Sequence, residues 1–465
     1  MIPVLTPDEM AAVDVAAPEP VDELIGRAGA AVARQVVDLL GGTYGRRVVV
    51  VAGKGNNGAD GRAAAGRLRP RGVRVAVAPA TDAPERLPEA DLVVDAAYGT
   101  GFRGSYEAPD PAGAPVLAVD VPSGVDGLTG AASGTPLAAV RTVTFAALKP
   151  GLLFHPGRAL AGEVVVADIG LDVSGARTWL VTAADVAGWL PARPAASHKW
   201  KAAVMFAAGS AGMTGAAHLA AAAALRAGAG MVRVASPGVD HDPGLPTEVV
   251  GVAVPSAGWE TVVGEQLTRA GAFVVGPGLG LSAPNQAAVH HLVAEATVPT
   301  LVDGDGLTTL GTGAADVIGR RSDPASVVLT PHDGEFARLA GEPPGADRCA
   351  AARHLAATTG AVVLLKGPTT VVAEPGGRVL LSTAGDQRLA TAGTGDVLSG
   401  IVGAFLARGA DPFAAAAAGA WVHGSCAGEG PDEGLVASDL VAGLPAVLTR
   451  LRDEATAAPA TAGGA

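Results

Sequence analysis

Short runs of Val, Ala and Leu alternate with longer alanine-rich stretches through most of this chain. Parallel strands that are covered on both faces have continuous apolar runs of this kind, and helices of this length connect them. The alternation therefore predicts an α/β protein built on parallel sheets. The chain has 465 residues, enough for two or three such domains.

The clearest break in this pattern is the segment 189–197, which has two prolines among small residues. It predicts one domain over 1–191, a second over 192–452 and a disordered tail over 453–465. The strands predicted for the first domain are 47–52, 73–78, 92–95, 116–121, 141–145 and 163–167. The strands predicted for the second domain are 202–207, 231–235, 272–276, 300–303, 327–330, 361–366 and 370–373.

The charge balance excludes one class of partner. Lys+Arg number 33 and Asp+Glu number 45, which gives a net charge of −12, so the surface repels a nucleic-acid backbone. The two cysteines, Cys349 and Cys426, are too few for a disulfide framework and indicate a reducing, cytoplasmic setting. No signal peptide and no membrane span are expected, because the N-terminus has no basic and apolar leader and Arg226 or Gly419 interrupts the alanine runs.

Three loops of the first domain follow predicted strand ends, where ligands bind in open α/β sheets. The first, over 53–61, matches G-x-G-x-x-G, but no acidic residue ends the next strand as a dinucleotide motif requires. An asparagine-capped helix start is the alternative. The second loop follows Asp95, and the third contains Ser123. Together with Asn57 of the first loop, these residues offer a carboxylate, a hydroxyl and an amide, a set that suits a monovalent cation. Taken singly, each acid could equally form a turn.

The strongest segment of the second domain is 392–402, where glycines lead directly into an apolar helix. Backbone N–H groups at such a helix start bind phosphate or an oxyanion, and Asp396 lies within reach as a base. The alternative is an acid placed in the first turn by the helix dipole. Lys366, one of few lysines in the chain, lies between two apolar runs and suits a phosphate, although a surface lysine in a hairpin is the ordinary alternative.

Three further segments of the second domain follow strand ends. Asp303 and Asp305 form a D-x-D sequence that could face Mg²⁺ or phosphate, or could simply form turns. His332 could contact a ligand or cap the helix that begins near Gly334. The third segment, over 276–280, has the sequence GPGLG.

The three loops of the first domain resemble the epimerase domain of the NAD(P)H-hydrate repair family, in the order NNGGD-type loop, Asp with a GTG loop, and D-x-P-S-G. The resemblance spans about 6–175 and implies a Rossmann-like domain that interconverts the R and S forms of NADHX and NADPHX, with K⁺ held by Asn57, Asp95 and Ser123. It implies that the hydrate contacts Asn56, Asn57, Gly58, Ala59, Asp60, Gly99, Thr100, Gly101, Phe102, Arg103, Gly104, Ser105 and Asp120.

One position departs from this family pattern, because Ala59 stands where the family has glycine. If position 59 needs a positive φ or a close backbone approach, alanine would cost about 1 kcal/mol there. Epimerisation at C6 also requires an acid or base. The first candidate is Asp120 and the second is Lys149.

The second domain resembles, from about Ser197 to Leu451, the ribokinase-like ADP- or ATP-dependent NAD(P)HX dehydratases, through GPGLG, T-P-H-x-G-E, K-G-x-x-T and GTGDVLSG. Asp396 is then the catalytic base. The resemblance assigns the hydrate to Ala216, Gly278, Gly280, His332 and Asp396. It assigns the adenine nucleotide to Lys366, Gly367, Pro368, Thr369, Thr370 and Gly395, with Mg²⁺. Two segments depart from the family, 198–201 (HKWK) and 385–391 (GDQRLAT).

The sequence thus predicts an N-terminal Rossmann-like doubly wound sheet and a C-terminal ribokinase-like α/β domain, joined in a bifunctional repair enzyme. Its expected substrates are NADHX, NADPHX and an adenine nucleotide, and a homo-oligomer is expected. One alternative is a small-molecule kinase of the ribokinase or hydroxyethylthiazole kinase type. In another, the N-terminal domain is a non-catalytic nucleotide-sensing or oligomerising module.

Overall fold

The chain forms two compact units in the computed structural model, which describes residues 1–457. One unit is Ile2–Trp179 and the other begins at Leu180. This division falls before the boundary expected at 191/192. The reason is that helix Ala183–Trp189 packs against helices Pro412–Cys426 and Ala437–Ala457 of the second unit.

The first unit is built on six parallel strands in the order β2-β1-β3-β4-β5-β6. These strands are β1 (Arg47–Ala52), β2 (Arg74–Pro79), β3 (Leu92–Ala96), β4 (Val116–Val119), β5 (Arg141–Phe145) and β6 (Glu163–Ala167). Its helices are Pro7–Ala16, Val21–Leu40, Asn56–Leu68 and Gly157–Ala161. The predicted doubly wound sheet is confirmed. The chain leaves β1 on one side toward β2 and continues on its other side with β3, so the ligand crevice of such a sheet opens beside β1 and β3.

Nine strands lie wholly within the described part of the second unit and form one sheet, in the order β15-β14-β13-β12-β11-β10-β7-β8-β9. They are β7 (Ala203–Ala207), β8 (Met231–Ala235), β9 (Val250–Gly251), β10 (Ala272–Val275), β11 (Thr300–Val302), β12 (Val327–Leu329), β13 (Val362–Leu365), β14 (Thr370–Ala373) and β15 (Val379–Ser382). All neighbours are parallel except β13–β14 and β14–β15. Seven of these strands match the predicted ones. The short β9 and the strand β15 were not predicted.

Helices cover both faces of this sheet, and nearly half of their residues are alanine, glycine or valine. Helix Thr394–Ala407 is buried along most of its length and packs against helices Thr214–Arg226 and Pro412–Cys426. The other helices of this unit are Ala183–Trp189, Trp259–Leu267, Ala283–Glu295, Asp305–Leu310, Ala314–Ile318, Asp333–Ala340, Arg348–Thr359 and Ala437–Ala457. Small side chains let these helices approach closely, which explains why alanine dominates the sequence here.

The last helix, Ala437–Ala457, extends into the segment 453–465 that was expected to be disordered. The rest of that segment, 458–465, lies outside the described residues. None of the helices formed by residues 1–457 combines the length and the apolar character needed to span a bilayer.

Candidate active sites in the two units

The first unit contains a cavity of about 540 Å³ at the carboxyl ends of β1, β3 and β4. Helices Pro7–Ala16 and Val21–Leu40 close its remaining sides. The predicted residues that line it are Asn56, Asn57, Asp60, Gly99, Thr100, Gly101, Phe102, Arg103, Asp120 and Lys149. The predicted residues that do not line it are Gly58, Ala59, Asp95, Gly104, Ser105 and Ser123. The structure therefore brings most of the three loops together around one space.

The first loop turns into helix Asn56–Leu68 directly after β1. A Cβ at Gly58 would lie 1.9 Å from the carbonyl oxygen of Gly53, so the close backbone approach falls on position 58. Ala59 lies within the helix and has no positive φ. Alanine at position 59 therefore causes no backbone strain, and the expected free-energy cost of about 1 kcal/mol does not apply.

Asp120 is held as an ionised carboxylate. Its Oδ1 lies 2.8 Å from Nζ of Lys149, which is only 2% exposed, and its Oδ2 accepts a hydrogen bond from the Thr100 N–H at 3.2 Å. Burial alone raises the pKa of Asp120, but the charge of Lys149 and these hydrogen bonds outweigh burial and leave the pKa below its usual value. The backbone of Asp120 is in the left-handed region at φ 68°, a conformation that non-glycine residues adopt mainly where surrounding contacts hold them.

Asp60 differs from Asp120 in its contacts. Its side chain is 7% exposed, lines the cavity and makes no hydrogen bond or ion pair with any of residues 1–457. Burial, and then the negative charges of Asp120 and Asp14, raise the pKa of Asp60 to about 8. Asp14 lines the same cavity from helix Pro7–Ala16. Sequence reasoning missed Asp14 because it inspected strand ends, and no motif marks this helix.

Asp95 and Ser123 contact each other behind the cavity. The Ser123 hydroxyl lies 2.6 Å from Oδ1 of Asp95, and the Ser123 N–H donates to Oδ2 at 2.9 Å. Asn57 packs against Gly99, and its amide nitrogen and oxygen are buried without a hydrogen-bond partner among the described residues. An orphaned amide oxygen of this kind is free to coordinate a cation. Within residues 1–457, no three His, Cys, Asp or Glu side chains are placed to hold a metal ion.

A second site lies in the C-terminal unit, where β11 and β13 end. Nζ of Lys366 lies 2.9 Å from Oδ1 of Asp303 and 3.5 Å from Oε2 of Glu335. The Ser399 hydroxyl donates to Oδ2 of Asp303 at 2.7 Å. Burial favours the neutral form of both charged partners, but their mutual attraction outweighs it, so the pKa of Asp303 is lowered and the pKa of Lys366 is raised.

The glycine-rich segment starts helix Thr394–Ala407 beside this ion pair. The Thr394 hydroxyl lies 2.9 Å from the carbonyl oxygen of Leu389, which fixes the start of the helix. A Cβ at Gly395 would lie 3.6 Å from Nζ of Lys366, so the Gly395 backbone and the ammonium group border the same space. Burial, and then the charge of Asp303, raise the pKa of Asp396 to about 6. This carboxyl group therefore exchanges a proton near neutral pH beside a group of anion-binding donors.

The other predicted residues of this unit have mixed placements. Gly278 packs against Ala216, as predicted for one shared site. Gly280 donates its N–H to Asp305 at 2.8 Å, so Asp305 has a structural partner. His332 caps helix Asp333–Ala340, because its Nδ1 accepts from the Gly334 N–H at 3.0 Å.

The predicted nucleotide segment forms the turn between β13 and β14. Thr369 in this turn is 2% exposed, and Thr370 begins β14. Arg348 donates to the carbonyl oxygen of Lys366 at 2.8 Å and pairs with Asp333 at 2.8 Å. Sequence reasoning missed Arg348, Glu335 and Ser399. Two of these lie inside the quoted motifs, whereas Arg348 has no local signal.

Comparison with known proteins finds a family model that matches each of the two units. A family described as NAD(P)H-hydrate dehydratase matches residues 204–445, and a family described as YjeF-related protein N-terminus matches residues 21–89 and 78–151. A ribokinase-like superfamily protein from Enterococcus faecalis superposes with a TM-score of 0.54 at 24% identity, over 59% of this chain and 96% of its own, which shows the fold.

Two curated relatives carry the same name. The bifunctional NAD(P)H-hydrate repair enzyme Nnr of Mycobacterium leprae is 41% identical over 421 residues, which cover 85% of each chain. The enzyme of that name from Escherichia coli is 34% identical in an alignment 465 positions long, gaps included, which covers 88% of each chain. Because likeness at this level extends over most of both chains, this chain belongs to the family of bifunctional NAD(P)H-hydrate repair enzymes.

Proposed function

We propose that the cavity of the first unit interconverts the R and S forms of NADHX and NADPHX. The site around Asp303, Lys366 and Asp396 in the second unit then dehydrates the S form at the expense of ADP or ATP. The observation that carries this proposal is the Asp396 carboxyl group, which has a pKa of about 6 at a glycine-lined helix start beside Lys366. A base and an anion-binding group are thus adjacent, as transfer of a phosphoryl group to an alcohol requires.

In the dehydration, the C6 hydroxyl oxygen of the hydrate forms a bond to the terminal phosphorus of the nucleotide, and Asp396 takes the proton of this hydroxyl. The phosphorus–oxygen bond to the rest of the nucleotide breaks. Phosphate then leaves the phosphorylated intermediate with the electron pair of the C6–O bond. The neighbouring ring carbon loses a proton, which forms the ring double bond. Lys366 and the Gly395 N–H stabilise the phosphate oxygens, which is mainly a matter of position and charge.

The remaining ligand contacts of this site follow the family pattern. Ala216, Gly278, Gly280 and His332 are proposed for the hydrate. Gly367, Pro368, Thr369 and Thr370 are proposed for the nucleotide. Mg²⁺, when bound, supplies positive charge to the phosphates. Asp303 and Glu335 both contact Lys366, so phosphate oxygens and water rather than a protein cage fit such an ion.

In the first unit, the proposal assigns the hydrate to the loop residues that line the cavity, with Asp120 as a fixed negative charge. Gly58, Ala59, Gly104 and Ser105 belong to the same loops and are proposed to shape them. A K⁺ ion fits the amide oxygen of Asn57, which has no hydrogen-bond partner among the described residues, together with Asp95 and Ser123. All three residues offer oxygen ligands, and only Asp95 carries a full charge. When bound, K⁺ supplies positive charge at the edge of the hydrate site.

The test is recovery of reduced nicotinamide absorbance from a mixture of both NADHX epimers with K⁺, Mg²⁺ and either ADP or ATP. Full recovery is expected for the parent protein. Recovery of only the S fraction would contradict the epimerase assignment and favour a non-catalytic first unit. A stable phosphorylated product without recovery would favour the kinase alternative. Parallel assays with ADP and ATP identify the preferred nucleotide. The homo-oligomer and the cytoplasmic location stay predictions.

A further inference from the structure

Among residues 1–457, five charged side chains line the cavity of the first unit: Asp14, Asp60, Asp120, Lys149 and Arg103. Their pairing is unequal. Lys149 is committed to Asp120 at 2.8 Å, and it also donates to the Thr144 hydroxyl and to the carbonyl oxygen of Phe145. Arg103 donates to the carbonyl oxygens of its own loop. Neither cation is paired with Asp60.

Asp60 is therefore an acid that is more than nine-tenths buried, has no hydrogen-bond or ion-pair partner among residues 1–457 and opens into the cavity. It lies in helix Asn56–Leu68, and the charged groups that act on it, Asp14 and Asp120, come from helix Pro7–Ala16 and from the end of β4. Both are negative, and burial also favours the neutral form, so the carboxyl group keeps its proton at neutral pH. Asp120 cannot take this role, because its ion pair and hydrogen bonds stabilise the ionised form.

We propose that Asp60 is the catalytic residue that gives and takes back the proton in the epimerisation, with Asp120 as the charge that stabilises the intermediate. This inference rests on the epimerase function proposed above. It changes the assignment made from the sequence, where Asp120 was the acid or base.

The step balances without any added reagent. The Asp60 carboxyl group donates its proton to the C6 hydroxyl, the C6–O bond breaks with its electron pair on oxygen, and water leaves. The ring nitrogen lone pair forms a C6–N double bond, which makes the ring cationic. Water then adds to the other face of C6, and its extra proton returns to Asp60. The Asp120 carboxylate is placed to stabilise the transient positive charge.

The experiment compares the full-length variant Asp60→Asn with the parent protein and with Asp82→Asn, which changes an exposed acid elsewhere on the same unit. The amide keeps the shape of the side chain but has no carboxyl proton to donate. Epimerisation is expected to fall by about 10² to 10⁴-fold. Nucleotide-dependent dehydration of purified S-NADHX, performed by the same molecules, is expected to stay at the parent rate, and Asp82→Asn is expected to keep both activities.

A second variant separates catalysis from folding. Asp14→Asn removes one negative charge that holds the proton on Asp60, so the basic limb of the pH–rate profile of epimerisation should move to lower pH. If Asp60 had only a structural role, Asp14→Asn would not shift the basic limb of the pH–rate profile. Epimerisation by Asp60→Asn within tenfold of the parent, or an unmoved limb in Asp14→Asn, would overturn the assignment. Absence of epimerisation in the parent protein would instead contradict the epimerase function itself.

Discussion

Nζ of Lys366 and Oδ1 of Asp303 lie 2.9 Å apart, although β11 and β13, the strands that they directly follow, are separated in the sheet by β12. The side chain of Asp303 is 5% exposed and that of Lys366 is 21% exposed, so the pair is largely removed from water. A buried ion pair of this kind contributes little net stability, but each partner makes the burial of the other tolerable. The position of Lys366 at the start of the nucleotide turn is thus coupled to the fold.

We therefore predict that Lys366→Met destabilises the protein by about 3 to 5 kcal/mol, because it leaves Asp303 as an uncompensated buried charge. The double variant Asp303→Asn with Lys366→Met should recover part of this loss. The measurement is urea denaturation of both variants and of Asp303→Asn alone, followed by tryptophan fluorescence. Additive losses would show that the two side chains do not depend on each other.

Much of this site was predictable, because the rule that ligands bind at the carboxyl ends of parallel strands selects Asp303, Lys366 and the loop before Asp396. The rule does not predict which of these side chains form ion pairs with each other. Whether Asp396 or Asp303 keeps a proton depends on which of them contacts Lys366, and that contact joins residues 63 positions apart. In the first unit the same rule found Asp120 but not its ion pair with Lys149, because that pairing depends on tertiary packing. The rule does not select Asp14, because this residue lies on a helix and not at the end of a strand.

The dehydratase reaction should depend on the ionisation of Asp396. A base works only when it is deprotonated, so with a pKa of about 6 the activity should rise as the pH increases through 6. Asp396→Asn should lower nucleotide-dependent dehydration by at least about 10²-fold. The checks are a pH–rate profile with purified S-NADHX and the epimerisation rate of the same variant, which should be unchanged. Dehydration at the parent rate in Asp396→Asn would contradict the role of this residue.

Restoring the glycine of the family pattern at position 59 should not improve the protein. Ala59 has a helical backbone, and glycine within a helix is less stable than alanine by about 0.5 to 1 kcal/mol because its unfolded chain is freer. We predict that Ala59→Gly lowers the thermal midpoint slightly and leaves epimerisation unchanged. By contrast, Gly58→Ala should be strongly destabilising, since its Cβ would overlap the Gly53 carbonyl oxygen. Faster epimerisation by Ala59→Gly would show that position 59 needs glycine after all.

The amide of Asn57, which has no hydrogen-bond partner within residues 1–457, predicts that K⁺ stabilises the first unit. Leaving a buried polar group without a hydrogen bond costs about 1 to 3 kcal/mol, and a cation that binds its oxygen offsets this cost. A ligand that binds only the folded state raises stability by mass action, by about 2.7 kcal/mol at one hundred times its dissociation constant. Replacing choline chloride with KCl at constant ionic strength should therefore raise the thermal midpoint.

The matched pair of neighbouring asparagines makes this prediction specific. Asn57→Ala should remove the K⁺-dependent rise in thermal midpoint, whereas Asn56→Ala, whose side chain is exposed, should keep it. Because the readout is stability rather than turnover, an effect of either variant on hydrate binding does not confuse the result. An equal K⁺ effect in all three proteins would place the ion elsewhere and leave the Asn57 amide as a ligand for the hydrate.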